Sequence, residues 1–218
     1  KILLSAASVN TEKKPVFRDV LPLPREKYYI STDQGLLFYD RAANRHTLYG
    51  HTDNPSSLTH NTVLCVFRST SGVLWIGTRS GLNKVDHEKN QFDVIRKSPN
   101  DANTLSHKYI TCLLEDRWGL VWAGTPDGLN SYDRHTDKFT VFKSTARQNS
   151  ISSNYILSLL EQDDGTLWIG TRGGGINKLA RKNGTDISSA TFQRFNLGNK
   201  TIQHICKGDS NILWLGSS

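Results

Sequence analysis

Five polar side chains occupy loop positions where they could bind a ligand: Arg79, Arg172, Asp127, His60 and His107. The planar guanidinium of arginine presents several donors at once, which suits carboxylate, sulfate or sugar hydroxyl groups. The side chains at these positions are not the same in every repeat, and function in repeated structures tends to lie where the repeats differ. The sequence therefore predicts a ligand-binding role for them, with ordinary solvated loop residues as the alternative.

Catalytic chemistry finds less support in the acids and histidines. Asp116, Asp163 and Asp164 fall in predicted hairpin turns, where aspartate is favoured for backbone reasons. No partner acid or base stands at a defined spacing, and the seven histidines show no metal-ligand spacing. The glycines of Gly173–Gly175 lack the Lys-Ser/Thr pair and the helix of a phosphate-binding loop. We therefore predict no catalytic residue, no metal site and no cofactor.

The elements that must position these side chains follow from a repeat. An aromatic residue in a short apolar cluster, followed by a small residue and a hydroxyl residue, recurs every 46 or 47 residues. The copies are Tyr28–Thr32, Leu74–Thr78, Val121–Thr125, Leu167–Thr171 and Leu213–Ser217. This period predicts the four-stranded antiparallel blades of a β-propeller. Helical solenoids are excluded, because no segment shows sustained 3.6-residue periodicity.

Each unit reads as four short strands with distinctive connections. The turn between the first two strands ends in Gly or Asn, and the loop between the next two ends in Gly, as hairpins require. In the fourth copy this second loop, Arg172–Gly175, has an extra residue, which predicts a larger and looser loop. The glycine two residues after each Trp predicts a close approach, with an indole lying over the neighbouring sheet. An aliphatic residue 17 before each Trp should plug the space between two sheets.

The chain is thus predicted to be one all-β propeller fragment of about 46 residues per blade, incomplete in this chain. Its blades span approximately 17–50, 58–97, 105–145, 151–196 and, in part, 197–218. The first blade departs from the pattern, with Tyr29 for Trp and Ser31 for Gly, and the fourth carries a lengthened loop at 181–190. Because the chain lacks Met and stops after a second strand, we expect it to be a piece of something longer.

Composition narrows the class of partner. The net charge is +7, from 27 basic and 20 acidic residues, but the basic residues are scattered rather than clustered on one face, which argues against nucleic acid. Three cysteines make a disulfide framework improbable. No run of about 18 apolar residues occurs, so no membrane-spanning segment is expected within these residues.

Several runs resemble two-component regulator propeller repeats: Leu74–Lys84, Glu161–Thr171, Asp133–Phe142 and Asn149–Asn154. The resemblance covers about residues 50–218. Such repeats typically form the periplasmic sensor region of hybrid two-component systems, membrane-bound proteins that combine histidine kinase and response-regulator functions. The resemblance therefore implies a parent receptor that detects a glycan-derived ligand, an oligosaccharide, and signals across the membrane. It also implies partners in the remainder of that receptor and a homodimer formed through the parent protein.

Two other functions stay open at this point. A propeller-fold lyase or glycosidase could line an acidic-glycan cleft with its charged blades, and a propeller could also serve as a protein-interaction scaffold. The sequence on either side of these residues would separate the readings, since a transmembrane helix and kinase motifs belong only to the sensor.

Overall fold

The computed structural model describes residues 14–70, 72–86, 91–98, 101–181, 186–209 and 212–218, with the backbone alone at 86 and 91–93. The predicted turns that include residues 71 and 210–211, and part of the loop at 181–190, lie outside these residues. The chain divides into two compact units, Lys1–Ile95 and Arg96–Ser218, each of which is described by itself. The described residues contain no helix that could cross a membrane.

Within the described residues, eighteen strands form four four-stranded antiparallel sheets and one two-stranded sheet. The first unit holds β1 (Phe17–Leu23), β2 (Lys27–Thr32), β3 (Leu36–Asp40), β4 (Arg45–Tyr49), β5 (Val63–Arg68), β6 (Leu74–Thr78), β7 (Gly81–Asp86) and β8 (Gln91–Ile95). The second unit holds β9 (Cys112–Glu115), β10 (Val121–Thr125), β11 (Gly128–Asp133), β12 (Lys138–Phe142), β13 (Ile156–Glu161), β14 (Leu167–Thr171), β15 (Ile176–Ala180), β16 (Thr191–Phe195), β17 (Ile202–Lys207) and β18 (Leu213–Ser217). Neighbouring strands in each sheet follow chain order, which confirms the predicted blade fold.

The first strand of the third sheet is shorter than the sequence predicts. The pattern places that strand over residues 110–114, whereas β9 begins at Cys112. Thr111 is still bonded through its backbone amide to the Gly124 carbonyl, at 2.9 Å. Its hydroxyl, however, donates to the carbonyl of Ile156 at 2.7 Å, in the first strand of the next sheet. The start of the strand therefore serves as a link between sheets.

First strands of consecutive sheets pack against one another within each unit. In the first unit β5 contacts β1 and β2; in the second unit β13 contacts β9 and β10, and β17 contacts β13 and β14. Tyr29, Trp122 and Trp168 pack against the following sheet, and Trp75 and Trp122 are almost fully buried. Burial of such a ring contributes a few kcal/mol, from roughly 150–250 Å² at about 25 cal/mol per Å². The aliphatic crossover residues Leu58, Leu105 and Ile151 are buried as well. Trp214, in the two-stranded sheet, is 64 % exposed.

The repeated glycine makes room for the next sheet, though not for an indole. A Cβ built on Gly124 would stand 2.9 Å from Cγ2 of Ile156, and one built on Gly170 would stand 2.9 Å from Cγ2 of Ile202. Each isoleucine begins the first strand of the following sheet. The prediction of a close approach is therefore confirmed. The groups that approach are a side chain of the adjacent strand, Cys112 or Ser158, and an isoleucine of the following sheet, rather than the Trp that the sequence suggests.

A buried hydrogen-bond network ties each crossover to the sheet that follows it. Asn130 accepts from the Ser106 amide at 2.7 Å, and its Nδ2 donates to Ser106 Oγ at 3.0 Å and to the Ala123 carbonyl at 3.1 Å. The hydroxyls of Ser106 and Thr125 lie 2.8 Å apart. The same network recurs with Thr59, Thr78 and Asn83 and with Ser152, Thr171 and Asn177. The first sheet has Leu37 in place of the asparagine.

Candidate ligand-binding site

The loops that follow the second strands carry two of the predicted residues in equivalent places. Arg79 and Arg172 come directly after β6 and β14, and both side chains are exposed. The backbone amide of Arg79 donates to the Thr62 carbonyl at 3.2 Å, and that of Arg172 to the Tyr155 carbonyl at 2.9 Å. These bonds place each arginine against the crossover that enters its own sheet.

The two predicted histidines have a backbone role in those crossovers. Nδ1 of His60 accepts from the Thr62 amide at 2.8 Å, and Nδ1 of His107 accepts from the Tyr109 amide at 2.9 Å. Ser153 does the same for Tyr155 in the next repeat, at 3.3 Å. An Nδ1 that accepts a hydrogen bond leaves the proton on Nε2. Both histidines are half-buried and shape the crossover through this bond.

In the second unit the structure brings Arg172 and Asp127 to one crossover segment. The guanidinium carbon of Arg172 lies 5.3 Å from the ring centre of Tyr155. The loop that carries Asp127 is bonded to the same segment, because the amide of Gly128 donates to the Asn154 carbonyl at 2.8 Å. We call this surface, formed by Arg172, Asp127 and the Asn154–Tyr155 segment, the Tyr155 face.

Charge on the Tyr155 face is partly balanced. Asp127 accepts from Nζ of Lys143 at 2.8 Å, in a pair whose side chains are 38 % and 46 % exposed. Such exposed pairs contribute roughly 0–1 kcal/mol, so a ligand can rearrange them at small cost. Among the described residues, the carboxylate of Asp127 is thus paired with Lys143. The guanidinium of Arg172 lies against the ring of Tyr155 and has no acidic partner there.

The loop after β14 is more firmly held than its sequence suggests. The amide of Gly173 donates to Thr201 Oγ1 at 3.1 Å, and that of Gly175 to the Lys200 carbonyl at 3.1 Å. Both glycines have φ near +70°, a conformation that other residues adopt at a cost. The loop is larger than its counterparts, as predicted, and two of its amides are bonded to the next crossover.

Arg79 and His60 form a separate local group in the first unit. Both are bonded to the backbone of Thr62, through its carbonyl and its amide respectively. Arg172, Asp127 and His107 belong to the second unit. The sequence argument missed Tyr155 and Lys143. An aromatic residue 13 positions before the Trp was the available signal for Tyr155; Tyr109 holds that position in the third repeat and Thr62 in the second.

The acids in the hairpin turns serve the backbone, as the sequence suggests. Oδ1 of Asp116 accepts from the amides of Trp118 and Leu120 at 3.0 and 3.1 Å. Asp164 accepts from the Thr166 amide at 2.8 Å. Among the described residues, no group of three or more His, Cys, Asp and Glu side chains is arranged to hold a metal ion.

Solved structures with the same fold include extracellular receptor domains. The extracellular domain described as a hybrid two-component system of B. thetaiotaomicron is 23 % identical, with a TM-score of 0.71 over 96 % of this chain and 27 % of its own length. A second such domain from B. thetaiotaomicron is 22 % identical, with a TM-score of 0.55 over 97 % of this chain and 33 % of its own. Virginiamycin B lyase from Staphylococcus aureus is 14 % identical, with a TM-score of 0.66 over 94 % of this chain and 64 % of its own.

The chain therefore spans between a quarter and a third of the length of these receptor domains. No curated protein matches the sequence significantly. The family model described as a two component regulator propeller matches residues 57–80, 104–127 and 150–173. Each matched segment runs from a crossover, through the first two strands of a sheet, into the loop after the second strand. Three segments of the chain, one in each of the second, third and fourth sheets, thus match the model of this repeat.

Proposed function

We propose that the chain is part of the extracytoplasmic sensor region of a hybrid two-component receptor, located in the periplasm, and that it detects a glycan-derived ligand. The observation that carries this proposal is the set of three regulator propeller repeats. The shared fold with extracellular domains described as hybrid two-component systems supports it. In this proposal the region binds the ligand and transmits the signal, and catalysis belongs to the kinase part of the parent protein.

The Tyr155 face has the chemistry that an acidic oligosaccharide needs. A guanidinium offers paired donors to a carboxylate or to vicinal hydroxyls, and a half-exposed aromatic ring offers an apolar surface with a polar end. Arg172 and Tyr155 combine the two at 5.3 Å. Arg79, beside His60, supplies a second set of donors in the first unit. The ligand-binding role of the five predicted residues thus becomes a testable part of the proposal.

The same proposal implies two kinds of partner. The remainder of the membrane-bound receptor receives the signal, and the receptor acts as a homodimer formed through regions of the parent protein. No role for nucleic acid is proposed, because the positive charge is scattered along the chain.

The test is calorimetry on the whole extracytoplasmic region with a panel of neutral and uronate-containing oligosaccharides. We expect a uronate-containing member to bind, and Arg172→Ala to weaken it by about tenfold or more, because charge-assisted hydrogen bonds contribute about 1.5–3 kcal/mol. Lys138→Ala is the matched control, since this exposed cation begins β12, at the hairpin-turn end of its sheet. Absence of binding across the panel would contradict the glycan part.

A second readout separates the sensor from an enzyme. In cells that carry the full-length receptor, the ligand that binds should induce a target-gene reporter, and Arg172→Ala should shift the response to higher ligand concentration. The alternative of a propeller lyase or glycosidase rests on the fold shared with virginiamycin B lyase. Multiple-turnover cleavage of the ligand by the purified protein would favour that alternative and overturn the sensor proposal.

A further inference from the structure

The second strand of the first sheet leaves a space unfilled that other sheets fill. Nε1 of Trp122 donates to Asp116 Oδ2, and Nε1 of Trp168 donates to Gln162 Oε1, each at 2.7 Å. In both cases the indole reaches the residue six positions earlier, in the hairpin turn. Tyr29 stands at the Trp position of the first sheet, and its ring packs on Phe38 with centres 5.3 Å apart.

The residue six positions before Tyr29 is Leu23, whose side chain has no acceptor. The smaller ring and the apolar partner leave a cavity of about 270 Å³ within the first unit. We call it the Tyr29 cavity; it is lined by Leu23, Pro24, Lys27, Tyr29, Arg68 and Leu74. The first four residues come from the β1–β2 hairpin and the last two from β5 and β6 of the next sheet. The cavity therefore lies at the hairpin-turn end of these sheets, opposite the end that carries Arg79.

The walls of the Tyr29 cavity are apolar, and its polar groups are donors. Leu23, Pro24 and Leu74 form the walls. Lys27 has an ion pair with Asp40 at 3.4 Å and remains 40 % exposed. The guanidinium of Arg68 forms no hydrogen bond or ion pair with any part of the chain that the structure describes. The cavity thus has two cations and no carboxylate among its lining residues.

Tyr29 adds a third donor. Its hydroxyl has no hydrogen-bond partner among the described residues. Burial, followed by the nearby Tyr49, raises the pKa of Tyr29, although Arg68 opposes the rise. The phenol therefore keeps its proton at neutral pH and can donate to an anion. Small-molecule sites commonly combine apolar walls with a few convergent polar groups in this way.

We propose that the Tyr29 cavity binds a small organic carboxylate with a flat apolar ring. The carboxylate lies against Arg68 and Lys27 and accepts from the Tyr29 hydroxyl, while the ring packs between Leu23 and Leu74. A volume of about 270 Å³ admits one ring with a short substituent, since cavities for drug-sized ligands are roughly 300–1,000 Å³. The site is distinct from the Tyr155 face, and it does not depend on the proposed glycan sensing.

Benzoate is the probe, measured by calorimetry and by saturation-transfer NMR with the intact protein. Three other compounds are compared with benzoate. Benzamide has the ring but no charge, acetate has the charge but no ring, and glucuronate has the charge with a sugar ring in place of the apolar one. We expect benzoate to bind at least about tenfold more tightly than each of the other three, because each lacks either the charged hydrogen bonds or the apolar contact.

Two substitutions test the location. Arg68→Gln should weaken benzoate by about tenfold or more, because it removes a charge-assisted bond. Tyr29→Trp should abolish binding, because it restores the ring that fills this space in later sheets. Arg41→Gln is the matched control, since Arg41 is a nearby exposed cation paired with Glu26 at 3.1 Å and does not line the cavity.

The proposal is overturned if benzoate does not bind, or if Arg68→Gln leaves its affinity within twofold of the control. It is also overturned if Tyr29→Trp, with an unchanged circular dichroism spectrum, still binds benzoate. Loss of benzoate binding in Arg172→Ala but not in Arg68→Gln would place the ligand at the Tyr155 face and would likewise refute it.

Discussion

Removing the charge of Asp116 should open the third sheet, because this carboxylate is the centre of a buried charged cluster. Its side chain is fully buried, and Arg181 donates to it from Nη2 at 2.8 Å with a side chain that is 5 % exposed. The carboxylate also accepts from Nε1 of Trp122 and from the amides of Trp118 and Leu120. The guanidinium carbon of Arg181 lies 4.0 Å from the Trp118 ring centre.

The expected loss of stability follows from the burial of both side chains of the Asp116–Arg181 pair. Breaking a buried pair by removing one partner costs about 3–5 kcal/mol, because the other charge is left unpaired. In Asp116→Ala the stranded group is Arg181, whose buried Nη1 already has no partner among the described residues. Arg181→Met should cost about 3 kcal/mol, at the lower end, since three N–H donors still serve Asp116. Lys143→Met is the control, because its pair with Asp127 is exposed and should matter by less than about 1 kcal/mol.

Hydrogen exchange read by mass spectrometry gives the local free energy of opening without requiring global unfolding. Peptides that cover β9 and β10 should exchange about 100-fold faster or more in Asp116→Ala than in the unsubstituted protein, which corresponds to about 3 kcal/mol. The control should change the same peptides by less than about fivefold. If Asp116→Ala and Lys143→Met shift exchange equally, the buried pair does not stabilise the sheet and the reasoning fails.

Four further predictions concern the scaffold. Asn130→Leu should lower the free energy of opening of the third sheet by about 2–3 kcal/mol, because the buried Ser106 amide loses its acceptor and the Ala123 carbonyl loses a donor. Slower exchange than in the unsubstituted protein would contradict this. Gly170→Ala should cost about 1–3 kcal/mol by overpacking against Ser158 of the adjacent strand and Ile202 of the next sheet, measured in peptides of β13 and β17. Burial raises the pKa of the Cys112 thiol to about 12, so iodoacetamide at pH 8 should spare Cys112 in the native protein and modify it in urea. The backbone amide of Thr166 donates to Asp164 and lowers the pKa of that carboxyl below 3.8. The carboxylate therefore stabilises the fold above pH 3.8, and this stabilisation is lost as the pH falls through the lowered pKa. Acid unfolding of Asp164→Asn should lack this contribution.

Much of the fold is readable from the sequence, because one period fixes strand order, hairpin turns and crossovers together. The alternation along a strand places Trp and Gly on one face, and the structure bears out the close approach at Gly124. The identity of the approaching group is a different matter. It depends on how two sheets are rotated against each other, and no pattern within one repeat contains that information.

The candidate site was only partly predictable for a similar reason. The position of Arg172 at the end of β14 follows from the repeat, but its contact with Tyr155 depends on the path of a crossover. The pair of Asp116 and Arg181 joins residues 65 apart in sequence, through the start of a lengthened loop. Loop length is visible in the sequence, whereas the direction in which the loop sends its first side chain is set by packing.

The space between a hairpin turn and the next sheet is filled differently at three positions of this chain. Trp122 fills it with an indole bonded to an acid, and Trp168 with an indole bonded to an amide oxygen. Tyr29 leaves it open, next to Arg68 and Lys27. The repeat therefore creates the same space in each of these sheets. Two residues, the aromatic and the residue six positions before it, decide whether protein or solvent fills that space. Variation at two positions can convert a scaffold contact into a binding site while the strands around it stay the same.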